Sequence, residues 1–395
     1  MKSINIINII FLIFFVFFAE SCSSFKKEPA QTIISKTNDF LRKQILDQVN
    51  QYFTEEPITV TNEIATRSAG GINDFYSEGD YWWPDEKNPD GPYIQRDGMT
   101  NPENFVAHRL AMIRFCKIVG TLASAYKLTG DEKYAIQASK HLEAWFINSS
   151  TKMNPNLQFA QAIKGRFTGR GIGIIDTIHL MDVAQGTLIM QKKLSKTTFQ
   201  GVQKWFSNYL NWLMTNANGK DEMNAKNNHG TCFVMQVASF SKLTNNKELL
   251  EFCSNRYKTV LLPNQMAQNG SFPLELARTK PYGYSLFNLD AMTTLCQILS
   301  SEKDNLWQFT TSNGLDIKKG IAFMYPFIED KSKWNLKIDV MYWNDWPVAQ
   351  PALIFGANAY KNEDWFSIWK ILDHNPQVPE LVRNIAVKNP IIWMN

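Results

Sequence analysis

The sequence predicts an all-α protein assembled from stacked helical hairpins, and three observations carry that prediction. From about residue 38 to the C-terminus, apolar residues recur at three- and four-residue spacing, the period of a helix with one buried face. Alternating strand patterns are few and short. Finally, Tyr126-Lys127-Leu128-Thr129-Gly130-Asp131 is echoed about 115 residues later by Ser241-Lys242-Leu243-Thr244-Asn245-Asn246, and more faintly by Lys192-Lys193-Leu194-Ser195. Successive hairpins of ~50–60 residues repeat at that offset after two units, and they bury their apolar faces only by stacking on neighbours. Closed into a ring, they form an α/α toroid, an incomplete barrel whose inner helices line a cleft. Left open, they form a solenoid.

Helices are predicted over residues 39–53, 104–128, 133–146, 175–190, 199–214, 232–243, 249–262 and 286–299, and again towards the end of the chain. Thr129-Gly130-Asp131 and Thr244-Asn245-Asn246 carry stop and start chemistry between neighbours. Two irregular segments interrupt the helices. Residues 74–102 contain Tyr81-Trp82-Trp83-Pro84-Asp85, Pro89, Pro92, Tyr93 and Gln95-Arg96-Asp97-Gly98. Residues 150–173 contain Phe159-Ala160-Gln161-Ala162 and Gly169-Arg170-Gly171-Ile172-Gly173. A connection as long as the first is unusual unless it binds a ligand or covers a site, so it is read as a lid-like loop. The alternative is an inert turn shaped by its prolines, with the tryptophans plugging the core.

Ahead of the helices stand one basic residue, Lys2, an uncharged apolar run over residues 4–19, and Ser21-Cys22-Ser23-Ser24. That order is a secretory signal, and the run falls short of the ~20 residues of a membrane span. Small residues around Cys22 point to a lipoprotein signal with an acylated thiol, although Glu20 departs from that pattern. The expected organisation is a signal at 1–22, a tether at 23–34 and one helical domain at 35–395. The protein is therefore expected to be exported, in the periplasm or anchored to the outer membrane, touching membrane only through its lipid. One compact domain on a tether is expected to be a monomer.

A net charge of +4, from 41 basic and 37 acidic residues, argues against a nucleic-acid partner. The 12 Trp, 13 Tyr and 26 Phe serve the core, and exported proteins also stack sugar rings on such faces. Cys116, Cys232, Cys253 and Cys296 lie among apolar neighbours and read as small buried hydrophobes, with a Cys232–Cys253 bridge open in an exported protein. The five histidines show no metal-ligand spacing, so no metal or cofactor is expected.

The sharpest local feature is Asn227-Asn228-His229-Gly230, just before an apolar helical run. Asparagine there is a good helix cap, which alone would explain it. His229, however, would sit in the first turn, where the helix dipole disfavours imidazolium and leaves a ring able to accept a proton. About fifty residues on come Glu275-Leu276-Ala277-Arg278 and Tyr284. The Arg278 fork suits a carboxylate, which is either a ligand's or that of Glu275.

These motifs, with Tyr81-Trp82-Trp83-Pro84-Asp85 and Gly169-Arg170-Gly171-Ile172-Gly173-Ile174-Ile175-Asp176, stand in the same order in the alginate lyase superfamily of helical-toroid polysaccharide lyases, which the chain resembles over nearly its whole mature length. The six-residue step from Arg278 to Tyr284 is closer to Bacteroides-type lyases, which act on alginate or glucuronan, than to the periplasmic mannuronate-specific group. The resemblance implies a catalytic centre of Asn228, His229, Arg278 and Tyr284, with an acidic polysaccharide as partner. Residue chemistry agrees with a β-elimination. Asn228 and Arg278 would bind the uronate carboxylate and the developing enolate, and Tyr284 would protonate the leaving O4. The base is His229 or Tyr284, depending on whether H5 and O4 lie on opposite faces or the same one. Tyr81, Trp82, Tyr93, Arg96, Gln161, Arg170, His179 and Lys280 are the expected substrate-binding residues. If the Tyr284 phenolate also serves as base, Arg278 and Lys280 would have to lower its pKa. A glycoside hydrolase would instead need two acids across the bond, with Asp74, Asp85, Asp176 and Asp290 as candidates. A non-catalytic glycan-binding lipoprotein has no reason to combine these four groups.

Overall fold

A computed structural model describes residues 31–394. The signal sequence, Cys22 and most of the tether lie outside the described residues. The tether ends sooner than expected, because helix α1 (Ile33–Gln51) starts with Thr32 as its cap and buries Ile33.

The remaining helices are α2 (Ala107–Thr129), α3 (Lys133–Phe146), α4 (Leu180–Met190), α5 (Lys196–Thr215), α6 (Ala217–Met223), α7 (Asn228–Thr244), α8 (Lys247–Arg256), α9 (Leu262–Gln265), α10 (Pro273–Leu276), α11 (Pro281–Leu299), α12 (Ile317–Glu329), α13 (Pro351–Tyr360), α14 (Glu363–Ile371) and α15 (Pro379–Asn384). Helices α2, α4, α7, α11 and α13 touch in that order and form the inner row. They are buried almost all round, as helices enclosed by others must be. Outside them stand α3, α5, α8, α12 and α14, each packed on its inner neighbours. Helix α1 touches α2 on one side and α13 and α14 on the other. The row is thereby drawn into a toroid rather than an open solenoid.

Local chemistry sets the joints. Gly130 ends α2 with a left-handed φ of 74°, and Asn245 ends α7 with a φ of 54°; these are the two residue types that tolerate that region. Asn246 then caps α8 by accepting from the Leu249 N–H. An aromatic row, Phe115, Trp145, Phe146, Trp205, Phe206, Tyr209 and Phe240, welds α3 and α5 to α2 and α7. Burying each such ring contributes about 1.5–3 kcal/mol. Cys116, Cys232, Cys253 and Cys296 are free thiols in the interior, so the Cys232–Cys253 bridge left open by the sequence is not made.

The two irregular segments are more ordered than the sequence implies. They hold short strands β1 (Tyr76–Glu78), β2 (Trp82–Trp83), β3 (Ile94–Gln95) and β4 (Phe159–Ala162). Strands β2 and β3 form an antiparallel hairpin, while β1 pairs in parallel with β4 and joins the two segments. The helix predicted over 175–190 is likewise split, a 3-10 stretch (Gly171–Thr177) preceding α4. The two stretches meet at a bend of 43°, and within the first Gly173 packs so closely that a Cβ would lie 2.6 Å from the Ala160 side chain. Helix α12 was not foreseen, since Pro326 within it reads as a breaker.

Candidate active site

The β2–β3 hairpin, the Gln161–Ile175 region, the start of α7, the α10–α11 connection and α15 converge on one cleft. It is lined by Asn228, His229, Arg278 and Tyr284, together with Tyr81, Trp82, Gln161 and Arg170. Residues distant in sequence are thus gathered at the mouth of the toroid.

Asn227, not Asn228, caps α7, its side chain accepting from the His229 N–H. Asn228 is then free for another role, and buried Glu275 aims it. One Glu275 oxygen accepts from the Asn228 backbone N–H and the other from Nδ2, both at 2.7 Å. An amide carries two N–H donors, so one stays available. Glu275 therefore serves Asn228 rather than Arg278, the partner considered from the sequence.

His229 Nδ1 lies 2.7 Å from Glu222, whose side chain is fully buried. A carboxylate oxygen accepts, so in the neutral form of the ring Nδ1 carries the proton and Nε2 is the acceptor. Arg278 is held by Asp97, which follows β3, at 3.0 Å. Thr279 donates to the same carboxylate at 2.9 Å. Burial is the largest single effect and would raise the Asp97 pKa, but the Arg278 hydrogen bond and charge, the Thr279 hydroxyl and the Lys280 charge together outweigh it and lower the pKa. Gly98, at φ 78°, permits this docking, because a Cβ there would meet Thr279 Oγ1 at 2.5 Å.

The Arg278 guanidinium lies 4.6 Å from the Tyr284 ring centre. Burial raises the Tyr284 pKa, against the opposing effects of a hydrogen bond to Tyr81 and the Arg278 charge. The phenol thus keeps its proton at neutral pH, and the lowering that a phenolate base would require is not seen here. Its hydroxyl is 3.0 Å from the Tyr81 hydroxyl. Next to Tyr81 in the lining, the Trp82 ring has Arg166 at 5.4 Å and Arg170 at 5.7 Å. Burial lowers the Arg170 pKa to about 10, which leaves it charged. Gln161 adopts φ 48°, uncommon for a side chain other than Gly, Asn or Asp. Its carbonyl accepts from Arg170 Nε at 2.9 Å.

Four expected binding residues do not line the cleft. Tyr93 stacks under Lys164, and Arg96 pairs with Glu86 and covers the Trp83 ring. His179 is buried, 3.0 Å from Lys388 Nζ, and Lys280 is buried behind Tyr81, paired with Glu380. Asp80, Asp97, Gln95, Phe287, Arg383 and Asn384 line the cleft without having been singled out as ligand contacts. The only local signal for Arg383 was Glu380 three residues before it on one helix face.

The cleft carboxylates are already engaged. Asp97 is bound by Arg278, and Asp80 by Arg109 and Arg383, which hold its pKa at about 2 despite burial. Of the acids considered for hydrolysis, Asp176 is buried on Arg109 and Ser77. Asp290 lies in the core with its pKa raised to about 8 by burial, Asp74 binds Asn154, and Asp85 shapes a turn. None of these four lines the cleft.

Comparison with known proteins agrees with this geometry. A family model described as alginate lyase matches residues 59–334. The crystal structure of an alginate lyase from Bacteroides ovatus superposes with a TM-score of 0.78 at 28% identity, covering 92% of this chain and 97% of that one. Alginate lyase A1-III from Sphingomonas species A1 gives a TM-score of 0.55 at 13% identity over 89% of this chain and 94% of that chain. A histidine-to-alanine variant of A1-III in complex with a tetrasaccharide gives 0.59 at 14% identity, over 92% and 94%. No curated protein matches. With most of its length matched by the family model and its toroid shared with these enzymes, the chain belongs to the alginate lyase family and is a polysaccharide lyase.

Proposed function

We propose that the protein cleaves alginate by metal-independent β-elimination in the cleft between Tyr284 and His229. The observation that carries this reading is the pairing of a protonated phenol with an imidazole whose Nε2 is free, beside Arg278 and Asn228, in a cleft whose carboxylates are taken up by arginines. Hydrolysis needs two available carboxyl groups; this elimination takes its acid from a phenol instead. Arg278 and the second N–H of Asn228 bind the uronate carboxylate at C6 and stabilise the enolate as H5 departs, the task a cation would otherwise perform. The C4–O4 bond then breaks, the C4–C5 double bond forms, and O4 takes the Tyr284 proton. Where H5 and O4 lie on opposite faces, as in guluronate, His229 Nε2 removes H5. Where they share a face, as in mannuronate, Tyr284 acts as the phenolate, taking H5 and passing that same proton to O4, so this route runs only through the ionised phenol. Trp82 and Arg170 supply a stacking face and a carboxylate partner along the chain.

The purified enzyme, incubated with alginate, polymannuronate, polyguluronate and glucuronan, is expected to generate near-ultraviolet absorbance from the new double bond on the alginate polymers, undiminished by a chelator. New reducing ends without absorbance would overturn elimination. Turnover of glucuronan alone would overturn the substrate, and loss under chelation the metal independence. We also propose export as a lipoprotein through Cys22, from the order of charge, apolar run and small residues at the N-terminus. A Cys22→Ser variant is expected to leave the membrane fraction; unchanged membrane association would refute acylation there.

A further inference from the structure

The cleft wall behind Tyr284 holds a buried ion pair to which the elimination itself assigns no task. Lys280 Nζ and Glu380 Oε1 are 2.8 Å apart, and each side chain is 3% exposed. Both reach the Tyr81 hydroxyl, Glu380 at 3.2 Å and Lys280 at 3.3 Å. That hydroxyl is the one 3.0 Å from Tyr284. The Lys280 ammonium also lies 4.8 Å from the Tyr81 ring centre and 4.9 Å from that of Tyr342. Tyr342 holds a left-handed φ of 64°, a conformation costly for a bulky residue and concentrated at functional sites. Burying two charges is expensive, and apolar side chains of the same volume would hold a core at least as well. The placement of this pair, one hydroxyl away from the reacting phenol, therefore calls for an electrostatic role.

The hydrogen-bond chain has two settings. With Tyr284 protonated, its hydroxyl donates to Tyr81, and Tyr81 donates to Glu380. With Tyr284 ionised, the Tyr81 hydroxyl turns its proton towards the phenolate and accepts from Lys280. Glu380 favours the first setting and Lys280 the second. We propose that Lys280 and Glu380 are positioning residues that act in opposite senses, through Tyr81, to set the pH at which Tyr284 gives up its proton. The proposal rests on Tyr284 as the proton donor of the elimination. The other charged groups around Tyr284 remain in every variant below: Arg278 and Asp97 beside it, Arg383 and Asp80 beyond Glu380, Asp339 behind Lys280, and His229 across the cleft.

The test replaces Tyr284 with 3,5-difluorotyrosine, whose phenol ionises at lower pH, and follows its titration by fluorine NMR in the full chain. Lys280→Met is expected to raise the midpoint by about one pH unit and Glu380→Gln to lower it by about one, the usual size for a charge at this range. Both shifts are expected to shrink in a Tyr81→Phe background, where the connecting hydroxyl is gone. Midpoints that stay put, or move in the same direction in both variants, overturn the proposal. Glu380→Gln preserves shape, so its sign decides the matter if Lys280→Met fails to fold. Full activity in Tyr284→Phe would refute Tyr284 as the donor. Loss of activity there with unmoved midpoints would refute only the role of the pair.

Discussion

Replacing Tyr284 with Phe is expected to lower kcat about a thousand-fold on every uronate polymer the enzyme cuts, within the ~100- to 10,000-fold span of general acid catalysis. KM is expected to change little, because the ring stays under the Arg278 guanidinium. What disappears is one proton and the hydrogen bond to Tyr81. A net hydrogen bond contributes only about 1 kcal/mol to stability, whereas a thousand-fold rate loss corresponds to about 4 kcal/mol of barrier. Unaltered thermal stability with collapsed turnover is therefore the signature of lost chemistry. Steady-state kinetics on polymannuronate and polyguluronate check it, and full retention of kcat would sink the acid assignment.

His229→Ala is expected to have a comparable effect only where H5 and O4 lie on opposite faces. On polyguluronate the loss should reach about 100-fold or more, since His229 is the only imidazole that lines the cleft among the described residues. On polymannuronate, where Tyr284 carries both transfers, the loss should be several-fold smaller. Equal loss on both polymers would mean that His229 serves a shared function such as holding the uronate carboxylate. Undiminished guluronate cleavage would remove it from the mechanism.

The helices were legible because each buries a face, and burial writes a 3.6-residue period into the sequence. Residues 133–146 were read with their true limits, and the Gly130 and Asn245 joints fell where left-handed backbone demands those residue types. The short strands were not legible. Two- to four-residue strands carry no period, and β1 is defined only by its partner β4, far along the chain. Trp82, Gln161 and Arg170 were picked out as polar or aromatic residues in irregular segments. The same criterion also selected Tyr93 and Arg96, which pack on their own neighbours.

By itself, the sequence determined that this chain makes helical hairpins and where most of them lie, and its resemblance to a lyase family singled out four residues for uronate elimination. Local propensity, capping and periodicity depend on near neighbours, and near neighbours are what a sequence displays. Only the tertiary structure decided that the row of hairpins curls into a toroid, through α1 touching both of its ends. It also decided which carboxylate serves which partner: Glu275 for Asn228, Glu222 for His229, Asp97 for Arg278 and Glu380 for Lys280. Most of these pairings join residues dozens to nearly two hundred positions apart, and a charge interacts with what is close in space. Until the chain closes, every acid is an equally plausible partner for every base.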